Sequence, residues 1–85
     1  MKNRIYTRNT KTQTGKPLRL EYCLLEDTPT EGYGVQITAI CGEQTECARI
    51  PGITPLASRI FELLDLLASG TVTPTGLKEV VEDWL

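Results

Sequence analysis

The hydrophobic pattern of this 85-residue chain changes its period once, near Gly52. Before Gly52, apolar residues alternate with polar ones, as they do in half-buried β-strands, and after it they recur every three or four residues, as on one face of an α-helix. A chain whose strands all precede its helices is expected to form an α+β fold, with the helices packed on one face of an antiparallel sheet. The sequence therefore predicts the element order ββββαα.

Three to four strands are predicted within the first 50 residues. Residues 1–17 are predicted to form a basic edge strand and a turn, and residues 18–50 the rest of the sheet, interrupted by a loop over residues 27–32. Short connections favour a meander. Gly34 inside the third strand indicates a β-bulge or a close approach of another backbone, of which the bulge is the commoner. Alternation predicts core-facing side chains at Leu18, Leu20, Tyr22, Leu24, Tyr33, Val35, Ile37, Ala39 and Cys41.

Two helices are predicted over residues 54–69 and 73–85. Each begins with a Thr-Pro pair, in which threonine suits the N-cap and proline the first helical position. Gly70 suits a C-terminal cap for the first helix. Leu66 lies off the apolar stripe of the first helix and is expected at its margin or outside. The stripe itself comprises Leu56, Ile60, Leu63, Leu64 and Leu67, widened by Ala57 and Phe61.

The second helix has a clear apolar face but is short. Leu77, Val80, Val81 and Trp84 follow helical spacing. A helix of about a dozen residues does not persist alone in water, so it must be held by docking. We expect Trp84 and Leu85 to supply that docking, either into this domain, which we favour, or into a partner.

The composition excludes much catalytic chemistry. The chain has no histidine, and its three cysteines contain no C-x-x-C pair, so the usual nucleophile pairs and zinc sites are missing. No glycine-rich phosphate loop is present either. We therefore expect no enzyme activity, no cofactor and no metal. The cysteines are expected to be buried small hydrophobic residues, with a disulfide between Cys41 and Cys47 left open.

The charges are segregated along the chain. Residues 1–20 hold six bases and no acid, whereas residues 21–85 hold three bases and eleven acids. A basic segment of this kind can attract the phosphate backbone of a nucleic acid or an acidic protein. It can also pair with the acidic remainder of its own chain, and we favour this interpretation. No apolar run is long enough to cross a membrane, and the basic start lacks the apolar stretch of a signal peptide, so a cytoplasmic protein is expected.

Two short patterns carry a family resemblance. The segment Tyr33-Gly34-Val35-x-Ile37, followed by residues 72–85 with Val72-Thr73-Pro74 and the end Trp84-Leu85, resembles a family of short uncharacterised proteins from anaerobic Gram-positive bacteria, classed as a domain of unknown function. The resemblance covers about residues 20–85. It implies a bacterial cytoplasmic protein and brings no activity, cofactor or site residue.

The sequence thus predicts one small domain over residues 1–85 with a non-catalytic function. The favoured hypothesis is a protein-interaction or self-associating module, whose partner is an unknown protein or a second copy and not a membrane. The alternative is a weak single-stranded nucleic-acid binder that uses the basic first strand. The candidate interaction residues are Arg4, Arg8, Lys11, Lys16, Leu66, Trp84 and Leu85.

Overall fold

The structure is a computed structural model that describes residues 2–28 and 32–85. These residues form a four-stranded antiparallel meander followed by two helices, so the predicted α+β class and the order ββββαα are confirmed. The predicted loop over residues 27–32 includes residues 29–31, which lie outside the described part. The elements are β1 (Lys2–Lys11), β2 (Pro17–Thr28), β3 (Gly32–Cys41), β4 (Gln44–Thr54), α1 (Ala57–Ser69), a 3₁₀ turn (Pro74–Gly76) and α2 (Leu77–Trp84).

The strands lie in the sheet in the same order as in the chain. Each strand pairs antiparallel with its neighbours, and the order β1-β2-β3-β4 places the first and last strands at opposite edges. One row across the sheet, Tyr6, Tyr22, Ile37 and Ala48, illustrates the register. These side chains share the face that the helices cover, because directly opposite residues in an antiparallel pair point to the same side.

The core lies between this face and the helices. Most of the side chains that alternation places inward are buried, although Leu18, Tyr33 and Cys41 are only partly so. Leu66 is 49% exposed, as expected. Phe61 was expected to widen the apolar stripe but is 43% exposed, because it lies about 100° around the helix from the buried Ile60.

The three cysteines differ in environment. Cys23 is buried, Cys41 is partly buried and Cys47 is exposed, so the expectation of burial is wrong for Cys47. All three are free. Cys41 pairs across the sheet with Gln44 on the helix-covered face, whereas Cys47 lies opposite Thr38 on the other face. A Cys41–Cys47 disulfide is therefore incompatible with this fold, because the two side chains lie on opposite sides of the sheet.

Gly34 lies beside a register shift and also close to another backbone, the two alternatives that the sequence indicated. The register between β3 and β4 shifts beside it, since Val35 pairs with Ile50 whereas Tyr33 pairs with Thr54. The additional residues belong to β4, and its backbone crosses close to Gly34: an added Cβ would lie 2.5 Å from the Cα atom of Pro51. No larger residue fits there without movement of the backbone.

The helices begin later than the Thr-Pro pairs indicated. Strand β4 continues through Thr54, and α1 starts at Ala57, with Leu56 at its N-cap. The Thr54 hydroxyl accepts a hydrogen bond of 3.2 Å from the Leu56 N–H, so it closes the strand-to-helix turn. Thr73 precedes a 3₁₀ turn and makes no side-chain cap bond, and the α-helical part of the second helix is reduced to eight residues.

The C-terminal end of α1 also differs from expectation. Gly70 is the C-cap residue, but its φ is −87°, and the left-handed residue is Thr71, with φ of 48°. The Thr71 N–H donates to Ala68 O at 3.1 Å and the Val72 N–H donates to Leu67 O at 3.0 Å, the two bonds of a Schellman motif. A β-branched residue thus occupies the position that usually holds glycine.

We expect Thr71→Gly to stabilise the protein. The left-handed conformation costs an L-residue about 1 kcal/mol, which glycine avoids, and in a domain of this size that corresponds to a rise in Tm of about 4–8 °C. Thermal melts measure this change. Gly70→Ala is the matched control: its Cβ would have no neighbour closer than 3.4 Å, so it should be tolerated. A lower Tm for Thr71→Gly would contradict this account.

Tyr22 joins the sheet to the connection between the helices. Its hydroxyl donates a hydrogen bond of 2.8 Å to the carbonyl oxygen of Val72. Burial raises the pKa of Tyr22 to about 12, against the opposing effect of the positive charge of Arg8. The folded state therefore favours the protonated hydroxyl, which is the form that can donate.

This pKa shift predicts a loss of stability at alkaline pH. The contribution of Tyr22 is complete below pH 10, the usual tyrosine pKa, and is lost between about pH 10 and 12, because the unfolded chain releases the proton first. Denaturant unfolding across this range measures the decline. Tyr22→Phe should be about 1–2 kcal/mol less stable at neutral pH and should lack this part of the decline. Tyr6→Phe should retain it; equal profiles for both variants would contradict the assignment.

Candidate interaction groove

Strand β4 has a neighbouring strand on one side only within the described chain. Glu46, Ala48 and Ile50 lie on the helix-covered face, because they pair with the core-facing residues of β3. The two-residue turn after Cys41 makes its flanking residues a hydrogen-bonded pair, and such pairs recur at every second residue. The backbone N–H and C=O groups of Thr45 and Cys47 consequently point toward the open edge.

A groove follows β4 beneath the second helix. Its main part has a volume of about 380 Å³. Two further cavities of about 430 and 280 Å³ adjoin it, and Pro74 lines all three. The larger lies beside Glu46 and Cys47, and the smaller extends across the helix-covered face to Thr12 and Leu18. We call this continuous feature the β4–α2 groove. Its main part is lined by Ala48, Arg49, Ile50, Pro74, Leu77, Lys78, Val81, Glu82 and Leu85.

The groove exists because β4 contributes short or charged side chains beneath α2. Ala48 ends at its Cβ and leaves the space below Pro74 and Leu77 open. Glu46 is exposed and extends the wall toward the turn. The result is an apolar floor with a carboxylate at one end.

The two terminal residues of the second helix lie in different places. Trp84 packs against the hydrophobic core, and the guanidinium of Arg59 stacks on its ring, 4.5 Å from the centroid. Leu85 is 77% exposed and lines the groove, so the expectation that both residues dock into the domain is wrong for Leu85. Leu66 lies on α1 and is not among the groove-lining residues.

The basic candidate residues are divided between the two faces of the sheet and the first turn. Arg4 lies on the uncovered face and bonds to Glu21 at 3.2 Å, and Arg19 bonds to the same carboxylate oxygen at 3.2 Å. Arg8 pairs with Leu20 on the helix-covered side. The two lysines are exposed, Lys11 at the end of β1 and Lys16 in the turn that follows. The fold does not bring these bases together on one face.

The two edges of the sheet nevertheless carry opposite charge. Strand β1 has four bases and no acid. At the other edge, residues 42–50 and 74–85 carry five acids and two bases. The charge asymmetry of the sequence becomes a spatial one because the meander sends its first strand to one edge and its last strand to the other.

The structure offers no metal centre in its described residues. Across residues 2–28 and 32–85, no three Cys, Asp or Glu side chains are grouped as a metal ion requires. None of the helices in these residues is long and apolar enough to cross a membrane.

These features define a small α+β protein whose four-stranded meander is covered by helices on one face and open along a groove at one edge. The chain belongs to a family of unknown function, DUF6514, whose family model matches residues 1–85. The match includes β1, which the resemblance in the sequence had left out. No curated protein and no solved structure matches the chain.

The sequence did not indicate the groove. Alternation at Glu46, Ala48 and Ile50 was available to show that β4 presents short and apolar side chains to the helix layer. The wall that α2 contributes could not be predicted in this way. The helical spacing of Leu77 and Val81 is the same whether these residues pack against the sheet or border a groove.

We expect the last two residues of the second helix to differ in their effect on stability. Trp84→Ala should lower the free energy of unfolding by about 2–3 kcal/mol, less than for a fully buried tryptophan, because Trp84 is partly exposed. Leu85→Ala should change it by less than about 0.5 kcal/mol. Chemical denaturation of both variants measures the difference. Equal losses for the two variants would contradict the assignment.

Proposed function

We propose that this protein is a non-catalytic interaction module that binds an extended basic polypeptide segment as an additional strand on β4. The observation that supports this function is the β4–α2 groove. In this one place, backbone groups that point to an open edge, an apolar floor and an exposed carboxylate occur together. Strand addition of this kind takes affinity from main-chain hydrogen bonds and specificity from pockets for alternate side chains.

The backbone supplies the first part of this recognition. The N–H and C=O groups of Thr45 and Cys47 are positioned to bond with an incoming strand, as they would with a fifth strand of the sheet. Every second side chain of that strand would then enter the groove above Ala48 and Ile50. There it would contact the exposed side chain of Leu85, so apolar residues are favoured at these positions.

The charges supply the preference for a basic segment. Glu46 makes no ion pair with any described residue, and Glu43 lies in the adjacent turn. The nearest base on the helix wall, Lys78, already has Glu82 as a partner at 4.0 Å. A lysine or arginine opposite Glu46 would therefore add a favourable cross-strand pair.

Single-strand nucleic-acid binding has weaker support. Such proteins need aromatic side chains and bases on one accessible surface. Here Tyr6, Tyr22 and Tyr33 lie on the helix-covered side, and Glu21 lies between Arg4 and Arg19 on the other. We also propose a cytoplasmic location, which Cys41 and Cys47 support, because both are thiols and disulfides are rare in reducing compartments.

Photo-crosslinking from Cys47 tests the proposed function. Cys47 is exposed on β4, so in a Cys41→Ser background a thiol-linked photoreactive group can be placed at the edge of the groove. In extract of the source cells, we expect crosslinking to a specific polypeptide. Glu46→Lys should reduce the yield at least about tenfold, the equivalent of 1.4 kcal/mol.

A matched control places the same group away from the groove. In a Cys41→Ser, Cys47→Ser background, Leu66→Cys carries it at an exposed position of α1. This variant should not form the same product. Equal crosslinking from both positions, or none from Cys47, would overturn the proposed function.

A further inference from the structure

The two edge strands differ in charge in a way that makes them complementary. Strand β1 is extended, ends the sheet on one side and carries four bases without an acid. Strand β4 ends the sheet on the other side, beside the β4–α2 groove, and residues 42–48 of this edge carry two acids, Glu43 and Glu46, and no base. Charged side chains on edge strands prevent pairing between like edges. The same charges favour pairing between unlike edges.

We propose that the segment bound by β4 is β1 of a second copy of this chain, so that the molecules associate head to tail. This inference rests on the proposed function, because it uses the same groove and the same open edge. Strand β1 has the chemistry that the groove favours: it is extended and basic, and the side chains on its helix-covered side include one aromatic residue, Tyr6, and one base, Arg8.

The direction of the strands is consistent with this contact. Consecutive strands of the meander are antiparallel, so an antiparallel β1 beside β4 simply continues the sheet. If Arg8 of the second copy lies opposite Glu46, alternation places its Tyr6 opposite Ala48. The guanidinium then meets the exposed carboxylate, and the ring lies over the shortest side chain of the groove floor.

Charge also disfavours the two symmetric alternatives. Pairing β1 with β1 would bring eight bases together, and pairing β4 with β4 would offer Glu46 no base on the helix-covered face, where β4 carries Gln44, Ala48 and Ile50. A head-to-tail contact joins two different surfaces, so it produces rings or open chains, and the associated mass rises with concentration. Because the contact is electrostatic, high salt should weaken it.

Sedimentation velocity over a range of concentrations tests the proposal. The wild-type protein should show a mass that rises with concentration from the 9.4 kDa monomer to at least twice that value, and that falls again at about 1 M salt, where charges are screened within about 3 Å. A monomer at every concentration in low salt would overturn it. If the Cys47 crosslink to another polypeptide persisted in that case, the proposed function would stand without self-association.

Charge reversal identifies the edges involved. Arg8→Glu with Lys11→Glu alters β1, and Glu43→Lys with Glu46→Lys alters β4. Each double variant alone should remain monomeric, whereas an equal mixture should associate, because reversed edges complement each other. Glu62→Lys with Asp65→Lys on α1 makes the same change in net charge away from both edges, and this control should associate like the wild type. Association of either edge variant alone at wild-type strength would exclude the β1–β4 contact.

A crosslink between two copies of the wild-type protein provides a second measurement that needs no charge variant. A short thiol–amine reagent should join Cys47 of one copy to Lys11 of another, in a mixture of isotopically labelled and unlabelled protein. Within one copy Cys47 lies in the row of Thr7, so Lys11 is three strand spacings across and four residues along, about 20 Å away between Cα atoms. In the proposed contact, Lys11 of the other copy is one strand spacing across and four residues along, about 14 Å away, so a reagent too short for the longer distance joins only different copies. Absence of mixed-isotope product at concentrations where the mass has risen would overturn the proposed contact.

Discussion

Burial of one sheet face beneath α1 is the constraint on which the rest of the molecule depends. The helix contacts all four strands, and its inward side chains are fully buried at Ile60, Leu63, Leu64 and Leu67. Each such burial contributes about 1.5–3 kcal/mol. A helix of 13 residues is marginal in isolation, and a sheet with one bare apolar face is unstable in water, so neither layer persists without the other.

The position of α1 determines what the second helix can do. The chain leaves α1 through the Schellman motif at Thr71, and the carbonyl of Val72 is held by the hydroxyl of Tyr22. The 3₁₀ turn and α2 are thereby directed over β4, where Leu77 and Val81 are buried. Because β4 supplies Ala48 at this point, the helix leaves a groove along the last strand.

The same topology makes the two edges of the sheet different from each other. In this meander of four strands β1 and β4 do not pair with each other, so two edges remain. The charges of the basic N-terminal strand and a register shift beside Ile5 disfavour pairing of this edge with a like edge. The other edge combines accessible backbone groups with the β4–α2 groove, and this asymmetry supports an interaction function more directly than any single residue does.

The class of fold, the order of the elements and most of the core follow from the amino-acid sequence. These properties are set by local periodicity, because a strand alternates its faces every residue and a helix repeats its face every three or four residues. Leu20, Val35 and Ile60 are buried as their patterns predicted, and Leu66 is exposed as its position off the stripe predicted.

Three features could not be predicted from the sequence: the groove, the different positions of Trp84 and Leu85, and the left-handed conformation of Thr71. Each depends on which elements lie side by side, and no local pattern contains that information. Trp84 packs against the core and Arg59 because α2 lies beside α1. Leu85, the next residue, instead lines the groove beside the edge strand. Thr71 has its left-handed conformation where the chain turns between the end of α1 and Val72, whose carbonyl oxygen accepts the hydrogen bond from Tyr22.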